Sequence, residues 1–136
     1  MTYSDAAAIA AITQAIETEQ SFVYAAGIAG AYLTGGAKRQ AVSQLAEHQG
    51  RMQIYSLMIA PEAVPAPPPA FEPTTPITDA RSARTALAQL NNALVGINAD
   101  VAATTEGEDR AFAINCAQLS ARAAVQWGAQ SQAFPT

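Results

Sequence analysis

Histidine, cysteine and charge are scarce in this chain. There is one histidine, His48, and one cysteine, Cys116, among 136 residues, and only 13% of the residues are charged. A lone cysteine forms no internal disulfide, which agrees with a reducing compartment. Seven scattered lysines and arginines with a net charge of -4 make no basic stripe able to neutralise a run of phosphates, so nucleic acid is not an expected partner. No apolar stretch approaches the twenty or so residues of a spanning helix, and Met1-Thr2-Tyr3-Ser4-Asp5 lacks the positive residues of a secretory signal. The chain is therefore expected to be cytoplasmic and to have no membrane partner. Gly-rich phosphate loops, serine or cysteine triad arrangements and paired acid/base carboxylates are also missing, which leaves no pattern for an enzyme.

What is abundant is alanine, roughly a quarter of the residues, a composition that favours helices with weakly charged surfaces. The length suits one domain spanning residues 1–136. Ser4-Asp5 provides a cap for a first helix. Its apolar stripe is Ile9, Ile12, Ile16, Glu19, Val23, Ala26, Gly30 and Leu33, closed by Gly35-Gly36. A second helix is expected from about Ala37 to Ala60, with the stripe Ala41, Leu45, His48, Met52, Tyr55 and Ile59, stopped by Pro61.

Residues 61–78 hold seven of the eight prolines. Extended at about 3.1 Å per residue, such a segment reaches on the order of 50 Å. That exceeds the roughly 36 Å length of the second helix, taken at 1.5 Å per residue. The third helix can then start at the opposite end of the bundle and run parallel to the second. Thr78-Asp79 opens it, and its stripe Ala83, Leu87, Leu90, Leu94, Ile97 and Val101 is wholly aliphatic. Thr105-x-x-Glu108 has the form of a capping box for a fourth helix, with the stripe Phe112, Cys116, Leu119, Ala123 and Gln126 or Trp127. The reading is an all-α, up-down-down-up four-helix bundle with a long Pro-rich crossover between helices 2 and 3.

Glu-Thr-Glu-Gln-Ser-Phe-Val-Tyr-Ala-Ala-Gly (Glu17 to Gly27), Ala-Glu-His (Ala46 to His48), the crossover and Pro-Ile-Thr-Asp-Ala (Pro76 to Ala80) make the chain resemble the small ferritin-like domains of unknown function from actinobacteria. The resemblance implies a bundle that pairs into dimers and carries no established activity. A ferritin-like di-metal centre takes two Glu-x-x-His pairs and two further glutamates. Glu19 matches the first-helix glutamate and His48 the second-helix histidine, but Leu45 stands where a glutamate should precede the histidine by three. On the third helix the nearest polar residue, Asn91, is one position off the stripe. The fourth helix has no histidine.

The leading expectation is thus a non-enzymatic binding or structural module, a homodimer without cofactor, whose ancestral metal site is incomplete. Its alternative is an iron- or manganese-binding protein using Glu19, Glu47 and His48 in a reduced or intersubunit site; a second alternative is a carrier of a small apolar ligand. Glu19 and His48 are expected to pair in the core. Glu47 and Arg51, four apart, are expected to form an exposed ion pair. Cys116 is read as a small hydrophobe, and Gly27 and Gly30 as a flat seam for a neighbouring helix or a second copy.

Overall fold

The computed structural model describes residues 2–67 and 76–128. Four helices form it: α1 (Ala6–Gly30), α2 (Gly35–Ser56), α3 (Ala80–Thr104) and α4 (Gly107–Gln126), with a single 3-10 turn at Pro61–Ala63. Asp5 caps α1, its carboxylate accepting from the Ala8 amide at 3.1 Å. The helix ends at Gly30, five residues before the glycine pair expected to stop it. Ala31, Tyr32 and Leu33 close it with bonds to Ile28 and Ala29 that tuck Leu33 into the core. Gly35 belongs to the start of α2, where its φ of 58° is left-handed and suits a residue without Cβ.

The second helix ends at Ser56, four residues short of expectation. Leu57 and Met58 form a tight turn on Ile54 and Tyr55 that buries Met58 and Ile59. The Tyr3 amide donates to the Met58 carbonyl at 2.8 Å and pins that end. Asp79 caps α3 in a reciprocal box with Ser82. The expected Thr105–Glu108 box does not form: Glu106 is the cap of α4, and the Thr105 hydroxyl donates to the Val101 carbonyl at 2.7 Å. Gly107, at φ 59°, makes the sharp reversal.

The direction of each helix follows from two apolar clusters. At one end Ile12 and Ile16 of α1 pack with Tyr55 of α2, Val101 of α3 and Ala113 of α4. At the other end Phe22, Ala29 and Leu33 pack with Ala41, with Leu87 and Ala83, and with Trp127 just past α4. The late part of α2 thus sits beside the late part of α3, so these two helices are parallel and the order is up-down-down-up. Ile59 lies at the first end and Ile77 at the second, and the Gln20 amide donates to the Pro65 carbonyl at 3.3 Å partway between. The crossover therefore starts and finishes at opposite ends; its middle, 68–75, lies outside the described residues. Around the bundle α1 packs on both α2 and α3, and α3 packs on α4. Side chains bridge α2 and α4 across a cleft.

Candidate functional site

Polar side chains fill the level between the two apolar clusters. Glu19 lies between Ile16 and Phe22 on α1. His48 and Arg51 lie between Ala41 and Tyr55 on α2, Asn98 between Leu94 and Val101 on α3, and Cys116 and Ser120 between Ala113 and Trp127 on α4. Burying this many polar groups is costly unless they satisfy one another. Most do.

Glu19 and His48 meet as expected. Nδ1 of His48 lies 2.7 Å from Oε1 of Glu19, its N–H donating to the carboxylate, and both side chains are buried. Phe22 stacks on the imidazole with ring centroids 3.7 Å apart and an interplanar angle of 19°, which fixes the ring plane. The Tyr55 hydroxyl donates to Oδ1 of Asn98, whose Nδ2 donates to the Leu94 carbonyl at 2.8 Å. Asn91 likewise donates to the Leu87 carbonyl at 2.9 Å. Among the described residues two buried side-chain oxygens have no hydrogen-bond partner, Oε2 of Glu19 and Oδ1 of Asn91.

Arg51 corrects an expectation. It forms no exposed ion pair with Glu47: it is only 6% exposed and donates from a guanidinium nitrogen to the Ser120 hydroxyl at 3.0 Å, while Glu47 stays at the surface. Spacing alone allowed either arrangement, since a residue three before or four before a core position both lie near the stripe. No carboxylate of the described residues lies within ion-pair distance of Arg51. Burial pushes the Cys116 thiol up to about 11, against an opposing pull from Arg51 and with a further push from Glu19. Burial also raises the Tyr55 phenol, and the neighbouring Cys116 and Glu19 add to that. A thiol held protonated in this way is a poor nucleophile, consistent with Cys116 as a packing residue.

Above this layer the gap between α2 and α4 forms a cleft of about 770 Å³. His48 and Arg51 line it, together with Glu47 and Ser43 of α2 and Leu119 and Arg122 of α4. Two contacts close one end: Gln40 donates to Gln126 at 2.8 Å, and the Trp127 indole N–H donates to Gln44 at 2.9 Å. Arg84 stands 5.9 Å from the Trp127 ring centroid. A more open groove of about 400 Å³, lined largely by Ile16, Met52, Leu57, Val64 and Pro65, lies where the crossover leaves α2.

Sequence reasoning placed Glu19 and His48 but missed Arg51, Asn98, Ser120 and Gln44 as interior groups. In all four cases a neighbouring apolar residue was preferred for the stripe: Met52 beside Arg51, Ile97 beside Asn98, Leu119 beside Ser120 and Leu45 beside Gln44. Leu119 is in fact 39% exposed. The signal available was the run of polar residues at one common level of every helix. Of the candidate ligands, Glu19 and His48 come together and Glu47 does not join them. Among the described residues no three His, Cys, Asp or Glu side chains are grouped to hold a metal ion. No helix among them is long and apolar enough to cross a membrane.

Fold and site together define an all-α four-helix bundle with a buried polar layer opening onto a cleft. The chain belongs to the family described as Domain of unknown function (DUF4439), whose profile matches residues 11–136. It is similar in fold to a conserved hypothetical protein, rv2844, from Mycobacterium tuberculosis. The TM-score is 0.82 at 23% identity, over 91% of this chain and 97% of that one. No curated protein matches the chain.

Proposed function

We propose that this chain is a non-enzymatic binding module on a ferritin-like scaffold, a cytoplasmic homodimer whose di-metal site is incomplete and whose ligand enters the cleft between α2 and α4. The observation that carries the reading is the use of the interior. Glu19 and His48, at the two matched ligand positions, are joined to one another at 2.7 Å. The same layer holds Arg51, which supplies a fixed positive charge where a bound cation would need the opposite. Leu45, Asn91, Asn98 and Ser120 stand on the inner faces where further carboxylates and imidazoles would be required. This donor set does not fit a di-iron or di-manganese centre. The cleft's polar lining also argues against an apolar cargo at this level.

The reduced or intersubunit metal site draws its one support from the unpartnered Oε2 of Glu19. Elemental analysis of protein purified without chelators, followed by iron and manganese titration, decides between the two. The module reading expects substoichiometric metal and no saturable binding. A stoichiometric ion lost on replacing Glu19 by Gln would overturn it.

A further inference from the structure

Resting on the binding-module reading, we propose that the α2/α4 cleft takes a small organic oxyanion. Its carboxylate or phosphate headgroup would be gripped by Arg51 at the floor, with Arg122 at the mouth.

Arg51 is the source of the argument. A guanidinium keeps its charge at any physiological pH and carries five N–H donors in a planar fork. Here that fork is buried with a neutral hydroxyl, Ser120, as its hydrogen-bonded partner at 3.0 Å. Buried charges are ordinarily paired, yet the nearby acid, Glu19, stands beyond ion-pair distance of Arg51. None of the Arg51 nitrogens is both fully buried and unpartnered, and Arg51 is one of the residues that line the cleft. An oxyanion that presents two oxygens side by side, a carboxylate or a phosphate, is the acceptor such a fork recognises best.

The surroundings agree. Arg122, two residues past Ser120 on α4, lines the same cleft, is exposed and has no ion-pair partner among the described residues. Among the described residues the cleft lining carries two arginines and one carboxylate, Glu47. An anionic head is thus favoured, with a hydroxyl or ammonium group rather than a second anion beside Glu47. A volume of about 770 Å³ lies within the range of small-molecule sites, roughly 300–1,000 Å³. The Gln40–Gln126 and Gln44–Trp127 contacts hold the end wall in place without a ligand.

The test is an NMR titration of the full chain with inorganic phosphate and with acetate, at ionic strength held constant with chloride. Saturable shifts of the Arg51 side-chain N–H and of the Ser120 and Ala123 amides are expected. Saturation by phosphate alone, by acetate alone or by both supports the proposal and names the headgroup. The exposed substitution Arg122→Gln should weaken binding about threefold, as expected for one solvent-facing charge, and Arg51→Met should abolish it. If Arg51→Met does not fold, Arg122→Gln decides. No saturation by either anion overturns the proposal, as does an affinity unchanged by Arg122→Gln. A metal-free protein that ignores both anions sinks this ligand assignment alone, whereas stoichiometric metal sinks the module reading beneath it.

Discussion

Replacing His48 by leucine while keeping Glu19 removes, among the described residues, the one hydrogen-bond partner of a carboxylate that is 0% exposed and already has an unpartnered second oxygen. Breaking a buried pair from one side costs about 3–5 kcal/mol, because the remaining charge loses its compensation. Part of the loss also comes from the Phe22 stack, about 0.5–1.5 kcal/mol for a well-placed ring pair. For a chain of this size each kcal/mol moves Tm by roughly 3–5 °C, so a fall of roughly 10–25 °C is expected. The converse change, Glu19→Leu, leaves the imidazole still stacked on Phe22 with an unmet N–H and should cost less, about 1–3 kcal/mol. The double change to leucine removes both orphans together. Its cost should lie at least about 2 kcal/mol below the sum of the single losses, since partners in one buried contact are not additive. Urea unfolding followed by helical circular dichroism, with Trp127 fluorescence as a second probe, measures all four corners of the cycle. Losses that add to within about 0.5 kcal/mol would refute the coupling and the view that this pair is a self-sufficient structural unit.

The buried thiol and phenol set the alkaline behaviour. Cys116 titrates near 9 when unfolded and about 11 when folded. Its contribution is thus fully present below pH 9 and is lost as pH rises through 11, and the raised Tyr55 phenol acts in the same direction. Unfolding free energies measured with urea from pH 8 to 11 should fall, by an amount on the order of 2 kcal/mol from Cys116. Cys116→Ala should flatten the part of the fall that begins near pH 9; an unchanged profile would contradict the assignment. The homodimer is tested by size-exclusion chromatography with light scattering. Val42, Ile54 and Leu57 on or just past α2, the last 78% exposed, leave apolar surface for a second copy to cover, and a monomer at high concentration would remove that part of the proposal.

Helix number and helix direction were legible in the amino-acid order because they rest on short-range physics. Asp5 and Asp79 are caps wherever a helix follows them. Pro61 forces Ala60 out of helical geometry whatever surrounds it. A proline-rich segment longer than a helix permits a parallel return. The boundaries that slipped were those where tertiary contacts competed with local signals. Leu33 and Met58–Ile59 were drawn into the core and ended α1 and α2 early, and Thr105 turned its hydroxyl back to Val101 instead of capping α4.

The interior was only half legible. Glu19 and His48 stood out because each interrupted an apolar stripe, and their pairing followed from the penalty on burying either alone. Arg51, Asn98 and Ser120 were hidden by apolar neighbours one position away. A helix turns 3.6 residues per cycle, so two adjacent positions compete for the same inward face and hydrophobicity alone chooses the wrong one when the partner helices are polar at that level. Sequence by itself determined the bundle and the scarcity of metal-coordinating side chains. Only the packed structure decided that a cation of the protein's own, Arg51, occupies the mid-bundle layer and faces an open cleft, because that depends on how four helices register against one another.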